Sequence, residues 1–139
     1  MYTQVYRLLR ESAKTLKNDL RKMIEKNGIT WQQFHALYHI PAEGAPVNEL
    51  AKKLNCNASN MTGLIDRMTE NGWVYRKHSE EDRRVWLIML TEEGAALREQ
   101  LIPEHNENIH KRLSVLSTEE LETMKQLLTK LKNNTNDIE

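Results

Sequence analysis

Few residues of this chain could take part in covalent or metal chemistry. The single cysteine, Cys56, cannot form an internal disulfide. Cys56 lies between two predicted helices, near the start of the second, where a thiol can be activated for oxidation. We therefore interpret it either as a redox switch or as a plain turn residue. The five histidines are scattered: His35, His39, His78, His105 and His110. Only His35 and His39 lie one helical turn apart, without further ligands, so we expect no metal site.

The residue types that support catalysis do not occur in suggestive combinations. We find no Ser/His/Asp or Cys/His arrangement, no glycine-rich phosphate loop and no paired carboxylates at a telling spacing. The sequence therefore predicts a protein that is not an enzyme and holds no cofactor.

Length and composition suit one small folded domain. The chain has 139 residues, of which 39% are hydrophobic and 29% charged, which is ordinary for a globular protein. The apolar runs are too short for a membrane span, and Arg7, Arg10, Lys14 and Lys17 interrupt any signal-peptide core. We expect a cytoplasmic protein.

The net charge is zero, but the charges are unevenly distributed. Residues 1–30 carry a surplus of four basic side chains and residues 52–84 a surplus of two, whereas residues 91–139 carry a deficit of four. A modest basic surplus can still bind nucleic acid if its side chains converge on one face.

Helical periodicity and start signals outline the elements that would position these residues. Apolar residues from Tyr2 to Met23 predict a first helix that ends at Asn27-Gly28. Thr30 and Gln33 predict a capping box for a second helix, which should stop at Pro41.

Two short helices follow, separated by a tight polar turn. The first has Val47, Leu50, Ala51 and Leu54 on its inner face. The second runs from about Ala58 to Asn71, is capped by Asn57, and buries Met61, Leu64, Ile65 and Met68. This arrangement is typical of a helix-turn-helix unit.

The pattern then changes from helical to extended. Residues 73–75 and 85–90 are rich in β-branched and aromatic types, which predicts two strands of a hairpin, with the charged residues 78–84 as its loop. A hairpin directly after the second helix of a helix-turn-helix unit is a wing. Two further helices are predicted, one starting at Thr91 that Pro103 should kink or break, and one starting at the Ser117-x-x-Glu120 capping box. The tail from Asn133 to Glu139 should be frayed.

At this level of detail residues 30–94 resemble the DNA-binding region of the multiple-antibiotic-resistance-regulator (MarR) family of bacterial transcription factors. The residues that carry the resemblance are Thr30-x-x-Gln33-Phe34-x-x-Leu37, Glu49-Leu50-Ala51-x-x-Leu54, Leu64-Ile65-Asp66-Arg67-Met68, Gly72-Trp73-Val74-x-Arg76, Asp82-Arg83-Arg84 and Leu90-Thr91-x-x-Gly94. Each motif alone is weak, but their order and gaps together are specific.

The resemblance implies a mainly α fold with a small β-hairpin. Residues 1–139 would form one MarR-type domain, with a winged helix-turn-helix lobe over about 30–94 and a helical dimerisation region over about 1–26 and 95–134. The implied function is that of a homodimeric repressor of a palindromic operator on double-stranded DNA. A small aromatic or anionic effector, or oxidation of a cysteine, would release it.

The second helix of the helix-turn-helix unit carries the predicted reading face. Its outer side presents Ser59, Asn60, Thr62, Gly63 and Arg67. An amide such as that of Asn60 can bond an adenine, the methyl group of Thr62 can meet a thymine, and Gly63 permits close approach of backbone to DNA. Arg67 would contact phosphate. The alternative is a merely solvated helix face.

The wing supplies the predicted arginine contacts. Arg83 and Arg84 could reach the minor groove, with Asp82 and Asn57 holding one of them in position, and Lys77 could contact phosphate. The alternative is a charged hairpin tip that keeps strand edges soluble. Two other functions remain open, namely redox sensing through Cys56 and a winged helix that binds protein rather than DNA.

Overall fold

The computed structural model describes residues 1–135 and is mainly helical, with one small antiparallel sheet. The helices of this part of the chain are α1 (Tyr2–Glu25), α2 (Trp31–Tyr38), α3 (Val47–Lys53), α4 (Ala58–Glu70), α5 (Glu92–Leu113) and α6 (Thr118–Thr135). Its strands are β1 (Ala45–Pro46), β2 (Val74–His78) and β3 (Trp86–Leu90). The predicted fold class is confirmed.

Local start signals determine where the helices begin. The Thr30 hydroxyl accepts from the Gln33 backbone N–H at 3.1 Å, and the Gln33 side chain accepts from the Thr30 N–H at 3.0 Å. Ser117 and Glu120 form the same reciprocal pair at 3.1 and 2.9 Å. Both capping boxes are confirmed, because each satisfies two backbone N–H groups with partners only three residues away.

The turn of the helix-turn-helix unit is held by its own backbone. Asn55 adopts φ 51°, a left-handed conformation that asparagine tolerates better than most residues. The Cys56 N–H then donates to the Ala51 carbonyl at 2.9 Å, which turns the chain sharply out of α3. Asn57 caps α4, as its sequence position predicts.

The sheet has the order β1-β3-β2 and contains a strand that the sequence did not reveal. Between α2 and α3, Ala45 pairs with Ile88 and Pro46 with Leu87. Pro46 is tolerated because β1 is an edge strand. The hairpin strands also differ from the expected ranges: β2 extends to His78, because its polar residues pair with the apolar end of β3.

The core lies where α2, α3, α4 and the sheet meet. Its fully buried side chains include Phe34, Leu37, Leu50, Met61 and Ile88. From α5, Arg98 donates to the carbonyls of Leu37 and Tyr38 at 2.9 and 3.1 Å, and so caps the C-terminus of α2. The core therefore fixes α4 with its outer side toward solvent.

The C-terminal helices differ from the expectation in two places. Pro103 does not end α5, which runs without interruption from Glu92 to Leu113. A 22-residue helix can lose one backbone hydrogen bond at a proline and still continue. α6 continues through Thr135, so it includes the first residues of the expected frayed tail, and residues 136–139 lie outside the described part.

The chain divides into two compact units, residues 1–106 and residues 107–139. Within residues 1–135, no helix has the length and apolar character needed to cross a membrane.

Candidate nucleic-acid interface

The outer side of α4 is polar and accessible. Its inner stripe, Met61, Leu64, Ile65 and Met68, is buried, whereas Ser59, Asn60 and Thr62 are exposed near the N-terminal end. Because the buried stripe repeats every three or four residues, the polar side chains between its members must face outward.

Hydrogen bonding leaves specific groups of this face available. The Thr62 hydroxyl donates to the Ala58 carbonyl at 3.0 Å, which orients the side chain. The Ser59 hydroxyl donates to the Asn57 side chain at 3.1 Å. Within residues 1–135 the Asn60 amide has no partner, so both its donor and its acceptor can bond a base edge.

Gly63 lies at the centre of this face, and nothing in the fold requires a glycine there. A Cβ at this position would meet only the Arg67 guanidinium, at an ordinary contact distance of 3.5 Å. Glycine inside a helix nevertheless costs stability. Its presence at an accessible position therefore fits close approach by a ligand, and Arg67 lies one turn further along the same side.

The wing loop presents an arginine held by its neighbour. The Asp82 carboxylate accepts from Arg84 Nε at 3.1 Å, from Nη2 at 3.2 Å and from the backbone N–H at 3.1 Å. These bonds hold the pKa of Asp82 below its ordinary value. The Arg84 side chain is still 91% exposed, so it is oriented without being covered. Arg83 is exposed beside it.

Asn57 does not support the wing as expected. Its side-chain oxygen accepts from the Asn60 backbone N–H at 2.8 Å and from Ser59, and no contact to a wing arginine occurs in the described residues. The local cap prevails because Asn60 is three residues away, whereas the wing is more than twenty residues away along the chain. Asp82 alone orients Arg84.

A second ion pair, which the sequence reading missed, joins the hairpin to α4. Arg76 Nη2 and Asp66 Oδ1 are 2.7 Å apart, across the junction of β2 and α4. Both residues belong to motifs that carry the family resemblance, but only the packing of α4 against β2 shows that they pair. The bridge fixes the base of the wing relative to the reading face.

An open groove of about 770 Å³ lies between α3, α4 and the hairpin. Thr62 and Ile65 line its helix side, while Arg76, Arg84 and Trp86 line its hairpin side. Of the expected site residues, Thr62 of α4 and Arg84 of the wing thus line one concave surface, whereas Ser59, Asn60, Gly63 and Arg67 lie on the exposed side of α4 outside its lining.

Lys77 lies on the face of the hairpin that is turned away from the groove. Strand alternation puts it on the face of the hairpin opposite to Arg76, and it pairs in register with Leu87. It therefore flanks the groove rather than lining it.

Cys56 occupies a half-buried position in the helix-turn-helix turn and packs partly against the core. Its contact with another side chain is a long one, 3.8 Å from the Gln32 amide nitrogen to Sγ. These surroundings favour the structural reading of the thiol.

Three histidines gather with aromatic rings away from the groove. His35 and His105 both pack against Trp31 and Phe34, with ring centroids 4.5 to 5.7 Å apart. Burial lowers the pKa of both, and for His35 the nearby His39, His105 and Lys17 lower it further. Within residues 1–135, no three histidine, cysteine or carboxylate side chains could hold a metal ion together.

Comparison with solved structures identifies the fold. AbsC, a MarR family transcriptional regulator from Streptomyces coelicolor, aligns with a TM-score of 0.85 over 97% of this chain and 94% of its own, at 23% identity. A mutant MarR from Escherichia coli complexed with operator DNA aligns with a TM-score of 0.79 over 92% of this chain and 93% of its own, at 28% identity.

Comparison of sequences leads to the same family. The MarR family profile matches residues 29–86, which span α2 to the start of β3. The transcriptional repressor MprA of Escherichia coli K12 is 33% identical over 129 residues, which cover 90% of this chain and 73% of MprA. With its helix-turn-helix unit, its wing and this similarity over nearly the whole length, the chain belongs to the MarR family of transcriptional regulators.

Proposed function

We propose that this regulator is a repressor that binds a specific site on double-stranded DNA. The N-terminal part of α4 enters the major groove, with Ser59, Asn60 and Thr62 toward the base edges, and Arg84 of the wing enters the neighbouring minor groove. The observation that carries the proposal is the combination of an accessible polar face on α4 with the Asp82-held guanidinium of Arg84, which lines one groove together with Thr62 of α4.

The two relatives support the DNA partner and the repressor role. The mutant MarR was solved with operator DNA, and MprA is a repressor by name. Arg67 is assigned to a phosphate contact and Arg83 to the minor groove, since both are exposed, Arg67 one helical turn after Gly63 and Arg83 next to Arg84 in the wing. Lys77, on the other face of the hairpin, is assigned at most a flanking phosphate contact.

The proposed active species is a homodimer in the cytoplasm. The winged lobe covers about residues 30–94, and about residues 1–26 and 95–134 form the dimerisation region. The apolar side chains that α1 and α6 leave exposed support this division, because a second copy would cover both sets. The operator is then a pseudo-palindrome whose half-site centres lie about 10 bp apart.

The release mechanism proposed is binding of a small aromatic or anionic effector. The groove is lined by both aromatic and basic side chains, which suits such a ligand. The half-buried, weakly contacted Cys56 does not favour redox release. Thermal-shift measurements with salicylate, together with operator gel shifts, would test this part separately.

Selection of bound sequences from a random DNA pool, followed by footprinting, tests the central proposal. We expect enrichment of one pseudo-palindrome and protection of both half-sites. If the pool yields no enriched sequence and the protein does not shift genomic fragments, the winged helix is a protein-interaction module instead.

Two substitutions separate base reading from electrostatic attraction. Asn60→Ala should cost about 1–3 kcal/mol on the selected operator and much less on random DNA, because only the specific complex uses the amide. Arg84→Ala should weaken both complexes and flatten the salt dependence by about one unit of slope per wing. Fluorescence anisotropy over a salt series measures both effects.

Matched controls lie on exposed helix faces away from the groove. Gln100→Ala, an exposed amide of α5, and Lys22→Ala, an exposed base of α1, should leave affinity and salt slope unchanged. An unchanged slope for Arg84→Ala would show that the wing does not touch DNA. Equal losses on specific and random DNA for Asn60→Ala would place the reading face elsewhere on α4.

A further inference from the structure

The hairpin carries a stacked aromatic pair immediately before the wing loop. His78 and Trp86 are opposite each other in the β2–β3 register and form the last pair of the ladder. Their ring centroids are 3.6 Å apart with an interplanar angle of 30°. Trp86 is 44% exposed, so the stack lies at the surface rather than in the core.

Strand alternation determines which way the pair faces. His78, Trp86 and Arg76 share the face of the hairpin that is directed at α4, and Arg76 is bonded there to Asp66. Trp86 itself lines the groove, next to Arg84 and across from Thr62. The stack therefore borders the groove through its Trp86 ring.

The wing loop is closed directly above this pair. The Ser79 N–H donates to the Val85 carbonyl at 2.9 Å, and the Val85 N–H donates to the Asp82 carbonyl at 2.9 Å. Ser79 follows His78 and Val85 precedes Trp86, so the stack and these bonds join the same two chain segments. The orientation of the Asp82–Arg84 fork depends on how those segments are held together.

The geometry of the DNA duplex explains why the position of the wing relative to α4 matters for binding. A major groove and the adjacent minor groove are separated by a single sugar–phosphate strand. A protein with a helix in one and a wing in the other must leave room for that strand between them. The groove between α3, α4 and the hairpin offers such a space, with Arg76 and Arg84 of the hairpin among its lining residues.

We propose that His78 and Trp86 are positioning residues for DNA binding: their stack fixes the root of the wing, so that Arg84 meets DNA while one sugar–phosphate strand occupies the groove. The inference rests on the proposed DNA-binding function. It adds a role for two side chains that contact each other rather than a base.

Substitutions that remove or retain the stack test the proposal with the selected operator. Trp86→Ala and, separately, His78→Ala should each weaken binding roughly tenfold and flatten the salt dependence toward that of Arg84→Ala. Trp86→Phe and His78→Phe keep two stacked rings and should bind within a few-fold of wild type. Tyr75→Ala removes an equally exposed aromatic from the opposite face of the hairpin and serves as the control.

A double-substitution cycle distinguishes positioning from an independent contact. If the stack acts through Arg84, the loss in Trp86→Ala/Arg84→Ala should be clearly smaller than the combined losses of the single variants. Thermal unfolding of each variant is measured in parallel, and the His78 variants provide a second reading if Trp86→Ala fails to fold.

The possible outcomes distinguish a failure of this inference from a failure of the proposed DNA-binding function. A wild-type protein that selects no DNA would overturn both. A wild type that binds its operator, with alanine variants of the stack that retain affinity and salt slope, would overturn the positioning role alone. Strictly additive losses in the cycle, or no rescue by the phenylalanine variants, would also overturn it.

Discussion

A glycine at the centre of the reading face offers a sharp test at the scale of single residues. The fold leaves space for a Cβ at Gly63, so Gly63→Ala should raise the free energy of unfolding by up to about 1 kcal/mol through helix propensity. The added methyl should hinder approach of DNA and weaken operator binding roughly tenfold, about 1.4 kcal/mol. Chemical denaturation and anisotropy measure the two effects.

Gly94 is the matched control in α5. A Cβ there would overlap the Trp73 carbonyl oxygen, so Gly94→Ala should lower the free energy of unfolding by about 1–3 kcal/mol. Any loss of DNA binding in this variant should follow the loss of folded protein. A Gly63→Ala variant that is stabilised and binds DNA normally would remove Gly63 from the interface.

The thiol of Cys56 gives a second test at this scale. Since the side chain is half-buried against the core and its hydrogen bond with Gln32 is long, Cys56→Ser should bind the operator as wild type does. The two proteins should also respond alike to mild peroxide, as measured by gel shift with and without treatment. Peroxide-induced release that occurs only in the wild type would establish a redox sensor.

At the scale of elements, the contact between α2 and α5 should make stability depend on pH. The folded state lowers the pKa of His35 and His105 below the ordinary value of 6.5, so the unfolded chain binds protons more readily. Stability should therefore be complete above about pH 7 and decrease as the pH falls through 6.5. The lowered pKa values of Asp82 and Glu120 act in a separate, more acidic range.

The cationic groups around this contact lower the histidine pKa values further. Burial lowers the pKa of His35 most, and His39, His105 and Lys17 of α1 lower it further. Burial also lowers the pKa of His39, and Lys53 of α3 adds to that effect. Glu104, next to His105, accepts from Asn27 at 3.3 Å. The C-terminus of α2 favours cations, but Arg98 already bonds to the carbonyls there.

Replacing His105 isolates its contribution. Its Nδ1 is buried without a hydrogen-bond partner in the described residues, so phenylalanine removes a titrating group at little structural cost. The drop in Tm between pH 7.5 and pH 5.5 should be smaller for His105→Phe than for wild type, whereas His110→Gln, at an exposed position, should behave as wild type. Identical drops in all three proteins would contradict the assignment.

At the scale of the whole molecule, the two units leave long apolar stripes uncovered. Tyr2, Val5, Tyr6 and Leu8 of α1 are at least half exposed, and Leu127 of α6 is 61% exposed. Surfaces of this kind are rare on monomers and typical of subunit interfaces. Leu127→Glu should therefore dissociate or aggregate the protein, because a charge would enter the interface.

Size-exclusion chromatography with light scattering measures this effect. Thr129→Glu, on the opposite side of α6, is the control and should remain dimeric, since the Thr129 side chain is exposed and its hydroxyl donates to the Lys125 carbonyl of its own helix. Removal of residues 117–139 should give aggregated or unfolded protein. A folded, soluble monomer from that truncation would contradict the dimer.

Features that depend on residues a few positions apart were readable from the sequence. Both capping boxes, the Asn57 cap and the buried stripe of α4 need only the spacing of three or four residues that a helix imposes. The reading face followed from the same periodicity, because the stripe that is buried defines the side that is not. Motif order then indicated the family.

Features that join distant segments were decided only by the tertiary structure. β1 has two residues and is a strand only because it pairs with β3, some forty residues later. The Asp66–Arg76 bridge, the His78–Trp86 stack and the approach of His105 to His35 depend on strand register and helix packing, which local spacing does not specify. Asn57 illustrates the same difference between local and distant contacts. Its side chain bonds to the backbone N–H of Asn60, three residues away, and not to a wing arginine that only the fold could bring near.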